Sequence, residues 1–99
     1  MKVFITGASG YIGGSVAHAL VAQGASVSGL ARSEAAAAAL KERGITPVIG
    51  TLDDADVLAK AARAADVTIN AANAGHREAA EAMTKALAGT GKGFIRSEE

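Results

Sequence analysis

Short apolar runs alternate with longer segments of helical periodicity along the chain. The runs are rich in β-branched and other apolar residues, as strands are, and they occupy residues 2–6, 25–30, 45–50 and 66–72. A further run at 93–95 has the same character but is followed at once by the polar residues RSEE. The pattern therefore predicts five strands, of which the fifth is incomplete.

The segments between these runs predict four helices, which occupy residues 10–23, 34–43, 54–64 and 76–89. Gly24 and Gly44 follow the first two helices, at the position where a left-handed residue ends a helix. Ser33 is the predicted N-cap of the second helix, and Asp53 or Asp54 is that of the third. The first three helices thus carry start or stop signals of their own.

The strand–helix unit recurs every twenty-odd residues. Strands that are apolar on both faces and alternate with helices indicate a parallel sheet covered by helices on each side. Right-handed crossovers then favour a doubly wound sheet with strand order 3-2-1-4-5. Pro47 lies near the start of the third strand, where a sheet edge tolerates its missing N–H. We predict one three-layer α/β domain of the Rossmann type over residues 1–99, cut short after its fifth strand.

Composition narrows the functional classes. The chain is 49% hydrophobic and 20% charged, which describes a soluble globular domain, and its formal net charge is zero. A neutral chain gives no electrostatic reason to bind nucleic acid or an anionic membrane surface. The absence of cysteine excludes disulfides and thiolate–metal sites and makes a cytoplasmic location the expected one. No apolar run approaches the length of a membrane span, and we predict no metal site.

The stretch ITGASGYIGG, residues 5–14, joins the first strand to the first helix. Gly7 suits a tight turn, Gly10 leaves room where a phosphate must approach, and Gly13 allows close packing of helix and strand. Free N–H groups and the positive end of the helix dipole then face a pyrophosphate, and Ser9 adds a hydroxyl donor. The alternative is a tight turn that binds nothing. The surrounding strand–turn–helix pattern favours a dinucleotide site.

Residues 6–13, TGASGYIG, resemble the TGxxGxxG fingerprint of the extended and atypical short-chain dehydrogenase/reductases, the NAD-dependent epimerase/dehydratase group. The resemblance covers essentially the whole chain, because DVTINAA at 66–72 is similar to the group's fourth strand and GTLDD at 50–54 to its G-D-L-x-D segment. It implies that Ala71 and Ala72 run beside the cofactor. Thr51 stands where the group has an adenine-contacting aspartate, and Leu52 is expected to pack on the adenine ring.

The residue after the second strand decides which cofactor is expected. An acidic residue there accepts the ribose hydroxyls of NAD and repels a 2′-phosphate. This chain has Arg32, a bidentate partner for phosphate, followed by Ser33 at a helix start. The alternative is a solvated arginine, but we predict a preference for NADP(H) over NAD(H). The predicted cofactor-binding residues are Gly7, Ser9, Gly10, Tyr11, Ile12, Gly13, Arg32, Ser33, Thr51, Leu52, Ala71 and Ala72.

Catalytic residues are not predicted. Chemistry in this group uses a tyrosine with a lysine four residues later, whereas the only tyrosine here is Tyr11 and the residue four positions on is Ser15. We therefore expect the N-terminal cofactor-binding part of an oxidoreductase or epimerase-like protein, inert by itself. The alternatives are a non-enzymatic NAD(P) sensor, or a truncated fragment that only folds and self-associates. An incomplete fifth strand leaves Phe94 and Ile95 at an open edge, which predicts a homo-oligomer.

Overall fold

Five parallel strands form one sheet with helices on both of its faces. A computed structural model describes residues 1–7, 11–51, 53–71 and 77–96, and gives the backbone alone for 11–13, 77–80 and 96. The elements, in chain order, are β1 (Lys2–Thr6), α1 (Tyr11–Ala22), β2 (Ser26–Ala31), α2 (Glu34–Glu42), β3 (Thr46–Ile49), α3 (Ala55–Ala64), β4 (Val67–Asn70), α4 (Arg77–Leu87) and β5 (Gly93–Arg96).

The strand order is β3-β2-β1-β4-β5, and every neighbouring pair is parallel. This confirms the predicted doubly wound Rossmann-type topology. The largest difference in strand bounds is at β4, which ends at Asn70 instead of residue 72. The Ala71 N–H still donates to the Thr6 carbonyl at 3.1 Å, so the chain keeps its course beside β1 for one residue beyond the strand. Such differences are within the usual uncertainty of element ends.

Alternate residues of the strands feed two separate hydrophobic clusters. Val3 and Ile5 of β1 pack in the cluster that includes Ala17 of α1 and Leu40 of α2. The residue between them on the strand, Phe4, packs in the other cluster, with the following residues of α3 and α4: Leu58, Ala62, Met83 and Leu87. Because side chains alternate across a strand, both faces of β1 are buried, and this is why the strands read as continuous apolar runs.

Helix ends follow the local signals for two of the first three helices. Gly24 and Gly44 have φ of +87° and +78°, the left-handed conformation predicted for them. The Ser33 hydroxyl accepts from the Ala36 N–H at 3.1 Å, which confirms this residue as the N-cap of α2. Asp54 occupies the N-cap position of α3 but forms no side-chain capping bond. The predicted aspartate cap is therefore wrong in its chemistry, because the Asp54 carboxylate accepts from the Thr51 N–H instead.

The two edges of the sheet differ. Pro47 lies in β3, which is an edge strand as predicted. The opposite edge is β5, where Ile95 is 52% exposed and Phe94 packs partly against the α3–α4 cluster. Among the described helices none is long and apolar enough to cross a membrane. Within the same described ranges, no group of three or more histidine, aspartate or glutamate residues could hold a metal ion.

Candidate functional site

The turn after β1 begins with a residue in the left-handed region. Gly7 has φ of +77°, and α1 starts at Tyr11. A side chain with a Cβ costs on the order of 1–2 kcal/mol in this conformation, so the position strongly favours glycine. Gly13 lies in the first turn of α1, while Ser9 and Gly10 lie outside the described residues. Strand β1, the left-handed Gly7 and the start of α1 thus follow one another as the sequence predicts.

The carboxyl ends of β1 and β4 lie side by side at the point where the strand order reverses. Helix α1, which follows β1, packs on one face of the sheet, and helix α4, which follows β4, packs on the other. Ligands of open α/β sheets bind at such switch points. Ala71, directly after β4, is buried and is hydrogen-bonded to the Thr6 carbonyl. It therefore lies beside the carboxyl end of β1, at the switch point.

A buried polar pair bridges these two strand ends. The Thr6 hydroxyl donates to the Asn70 side-chain carbonyl at 2.5 Å, and the two residues are in register on β1 and β4. Thr6 is fully buried and Asn70 is 6% exposed, so the hydrogen bond lies in a medium of low dielectric, where it is strong. Sequence reasoning missed this pair. The available signal was one polar residue at the carboxyl end of each of two otherwise apolar strands.

The end of β2 presents a cation next to a helix start. Ala31 is buried, and the following Arg32 is exposed. Ser33 has extended backbone, and its hydroxyl accepts from the first turn of α2. That bond occupies one of the acceptor positions of the hydroxyl and leaves its proton available for donation. An anion placed here would meet the guanidinium charge and the positive end of the α2 dipole.

The turn between β3 and α3 is tied to the end of β2. The Gly50 N–H donates to the Ala31 carbonyl at 3.0 Å, which holds the two turns together. The Thr51 N–H donates to the Asp54 carboxylate at 2.7 Å, so this amide is already engaged within the turn. A Cβ on Gly50 would lie 3.0 Å from the Val57 side chain, which explains the small residue there. Leu52 lies outside the described residues.

The predicted site residues that the structure describes all lie at the carboxyl-terminal end of the sheet. They follow the carboxyl ends of β1, β2, β3 and β4 and comprise Gly7, Gly13, Arg32, Ser33, Thr51 and Ala71. For Tyr11 and Ile12 only the backbone is described, and Ala72, like Ser9, Gly10 and Leu52, lies outside the described residues. Of the described residues, Gly7 and Gly13 lie at the switch point and Arg32 follows the neighbouring strand β2.

Comparison with known proteins places this architecture in a family. The model of the NmrA-like family matches residues 1–96, so the chain belongs to that family. The resemblance to extended short-chain dehydrogenase/reductases, stated from the glycine motif, is confirmed. The protein is a Rossmann-type domain of the NmrA-like family.

The chain is similar in sequence or structure to several known reductases. A 4-hydroxy-2-methyl-3-oxo-4-farnesyl-3,4-dihydroquinoline-1-oxide ketoreductase of Stigmatella aurantiaca is 43% identical over 73% of this chain and 22% of its own length. The binary complex of leucoanthocyanidin reductase with NADPH from Vitis vinifera is 26% identical, with a TM-score of 0.75 over 95% of this chain and 35% of that one. A structure from work on pinoresinol-lariciresinol and phenylcoumaran benzylic ether reductases is 26% identical, with a TM-score of 0.78 over 99% of this chain and 36% of that one.

These proteins are longer than the present chain. It spans between 22% and 36% of the length of the curated relatives it matches. The solved structures share the fold of this chain over 95% and 99% of its length.

Proposed function

We propose that the chain binds a nicotinamide dinucleotide, with NADP(H) preferred to NAD(H), as the N-terminal cofactor-binding part of an oxidoreductase or epimerase-like protein. The observation that carries the proposal is the left-handed Gly7 between β1 and α1, at the switch point of the sheet. The likeness to a reductase described with NADPH supports it.

The residues present fit such a cofactor. Gly7 and Gly13 leave main chain uncovered by side chains beside the start of α1, where a pyrophosphate is attracted by N–H groups and the helix dipole. Ala71 gives the β4 side of the switch point a small side chain. A bound nicotinamide supplies or accepts hydride, and the role of this chain is to bind and orient it.

The choice between the two cofactors rests on the end of β2. Arg32 is exposed there and Ser33 is the N-cap of α2, so a 2′-phosphate would gain a guanidinium partner and a hydroxyl donor. An NAD-specific site of this architecture has an acidic residue at this strand end instead. NADP(H) is the cofactor that this charge favours.

Calorimetric titration of the purified chain with NADPH and with NADH tests both statements. We expect binding of both cofactors, with NADPH tighter. Arg32→Ser should weaken NADPH by roughly tenfold or more, the effect of losing a charge-assisted pair worth about 1.5–3 kcal/mol, and should leave NADH little changed. Arg43→Ser, at the exposed C-cap of α2, is the matched control. Equal or tighter NADH binding would defeat the NADP assignment, and no binding of either would defeat the function.

We also propose that the chain does not catalyse by itself, since it has no tyrosine with a lysine four residues later. An assay for NADPH-dependent reduction of carbonyl compounds by the purified chain checks this, and any turnover above the cofactor-only control contradicts it. The cytoplasmic location stays a prediction from the cysteine-free composition.

Self-association is the remaining part of the proposal. The outer edge of β5 pairs with no other strand of the described residues, and it carries Ile95, an exposed large apolar side chain. Unpaired edges of this kind recruit further strands. Sedimentation over a range of concentrations should show a homo-oligomer, whereas a monomer throughout would contradict it.

A further inference from the structure

We infer that the side-chain amide of Asn70 donates a hydrogen bond to the nicotinamide half of the bound dinucleotide, which is the nicotinamide ring, its ribose and the adjoining phosphate. Asn70 is the last residue of β4, at the switch point of the sheet. It belongs neither to the glycine motif nor to the turn after β2. This contact presupposes the dinucleotide binding proposed above and adds a residue to its nicotinamide side.

One end of the Asn70 amide is held in place by β1. The Thr6 hydroxyl donates to Asn70 Oδ1 at 2.5 Å, between register partners of the two strands. The Ala71 N–H donates to the Thr6 carbonyl at 3.1 Å, so the backbone beside the amide is tied to β1 as well. Thr6 is fully buried and Asn70 is 6% exposed. The amide is therefore preorganised, with its carbonyl oxygen turned to β1 and its nitrogen turned away from it.

The nitrogen end of the same amide has no acceptor among the described residues. An asparagine amide carries two N–H donors, whereas the side-chain hydrogen bond of Asn70 within the described ranges is the one that its oxygen accepts. Thr68 Oγ1 is the one polar side-chain atom of the described residues that is sealed from solvent without a partner. Asn70 Nδ2 is therefore not sealed. A polar side chain more than nine-tenths buried, with free donors that a ligand can reach, is typical of a binding contact.

The surroundings of Asn70 leave one side from which its nitrogen can be approached. On the same face of the sheet, the neighbours on β1 and on the preceding part of β4 are 0% exposed, namely Phe4, Thr6 and Thr68. On the other side β5 runs alongside, with Arg96 as the register partner of Asn70. The amide nitrogen is therefore reached from beyond the end of β4, at the carboxyl end of the sheet where ligands of this architecture bind.

The order of the strands decides which half of the cofactor comes to this position. In a sheet of this type the adenosine ribose is bound at the end of β2, and the pyrophosphate lies at the start of the helix that follows β1. Strand β4 lies on the opposite side of β1 from β2. A dinucleotide with its 2′-phosphate at Arg32 and its pyrophosphate at Gly7 therefore extends its nicotinamide half over the end of β4. That half offers ribose hydroxyls, a carboxamide oxygen and phosphate oxygens, all of which accept from an amide N–H.

Two ligands that differ in the nicotinamide half test this contact. NADPH contains both halves, whereas adenosine 2′,5′-bisphosphate lacks the nicotinamide and its ribose. The double variant Thr6→Val/Asn70→Leu removes the amide donors without leaving an unpaired hydroxyl at position 6. By calorimetry we expect NADPH to bind about three- to tenfold more weakly, the effect of one hydrogen bond, and the bisphosphate to change by less than about twofold.

Thr68→Val is the matched control, because it replaces a buried hydroxyl with a methyl group on the same strand and leaves the Asn70 amide intact. It should bind both ligands as the wild type does. Asn70→Asp is a second probe, which keeps an oxygen for Thr6 and replaces the N–H donors with a carboxylate. It should weaken NADPH more than the double variant does, and more than it weakens the bisphosphate, since like charges then face each other. Circular dichroism checks that each variant is folded.

The results that would contradict the contact can be told apart. Equal weakening of NADPH and the bisphosphate would mean that Asn70 acts only through the fold of the switch point. Unchanged NADPH binding in both Asn70 variants would mean that the amide does not touch the cofactor, and the proposed function would still stand. If the wild type bound neither ligand, the proposed function and the Asn70 contact would both be wrong.

Discussion

The two faces of the sheet bury different kinds of side chain beneath their helices. On the α1–α2 face the strands contribute only apolar residues to the core, namely Val3, Ile5, Val27, Ala31 and Ile69. On the α3–α4 face Phe4 is accompanied by three buried polar residues, Thr6, Thr68 and Asn70. One face is therefore an ordinary hydrophobic core, and the other carries polar groups that need partners.

Only part of that need is met. Thr6 and Asn70 bond to each other at the carboxyl ends of β1 and β4, next to the candidate site. Thr68 is one step further into the sheet, in register with Phe4 on one side and Phe94 on the other. Its buried hydroxyl oxygen has no hydrogen-bond partner among the described residues. Buried polarity is thus satisfied where it fixes the switch point and unsatisfied deeper in the sheet.

The largest expected effects come from truncating the core of each face. Leu40 of α2 and Leu58 of α3 are both fully buried, one on each side of the sheet. Leu40→Ala and Leu58→Ala should each lower the free energy of unfolding by about 2–5 kcal/mol, the range for a buried leucine that leaves a cavity. Urea titration measures both losses. Burial implies that the cores on both faces stabilise the fold, and a loss of stability in only one variant would contradict this.

The next effect concerns the satisfied pair. Thr6→Val keeps the shape of the side chain but removes its hydroxyl, which leaves the buried Asn70 carbonyl oxygen unpaired. We expect a loss of about 1–3 kcal/mol by urea titration. The double variant Thr6→Val/Asn70→Leu removes both partners and should recover part of the loss. A single variant as stable as the wild type would show that the pair contributes nothing.

The unsatisfied hydroxyl should respond in the opposite direction. Thr68→Val replaces an orphaned buried hydroxyl with a methyl group of similar size, so we expect the free energy of unfolding to rise by about 1 kcal/mol. Thermal unfolding followed by circular dichroism measures the gain. Thr46→Val, at an exposed position in β3, is the matched substitution. A loss of stability in Thr68→Val would indicate a hydrogen bond or internal water at this hydroxyl.

The smallest expected effect concerns Asp66, an exposed residue on the N-terminal side of β4. Asp66 precedes the strand, and its carboxylate accepts from the Lys2 N–H at 2.9 Å. That bond lowers the pKa of Asp66 below its ordinary value; desolvation opposes it, and the charges of Lys92, the N-terminus and Lys2 add to it. The contribution of Asp66 to stability is present above its ordinary pKa and is lost as pH falls through the lowered folded pKa.

Asp66→Asn should therefore flatten the acid limb of the stability curve, and its effect should be small because the carboxylate is exposed. Urea titrations between about pH 2 and pH 6, which bracket the ordinary range of a carboxyl group, follow this limb. Asp56→Asn, in the exposed first turn of α3, separates a general charge effect from loss of the Lys2 bond. An unchanged acid limb in Asp66→Asn contradicts this role.

Most of the fold was predictable because its signals are local. The strand predicted at residues 2–6 has the same bounds as β1 in the structure. Gly24 and Gly44, which follow α1 and α2, have the left-handed conformation expected of them. The position of the candidate site was predictable because Gly7 and Arg32 follow the carboxyl ends of strands. In a parallel sheet those ends lie together on one side. Asp54 was misread because its sequence position allows two hydrogen-bond partners, and only the shape of the turn selects Thr51.

Local signals were enough to predict the strand–helix alternation, the parallel doubly wound order and the left-handed Gly7, because periodicity and backbone preference act over a few residues. The tertiary contacts, in contrast, set which polar residues are paired. Thr6 meets Asn70 across sixty-four positions of the chain, and Thr68, two residues from Asn70, is left without a described partner. The same tertiary contacts bury Ile69 and leave Ile95 exposed. Register and burial depend on which strands become neighbours, and this is a property of the assembled sheet that no local window contains.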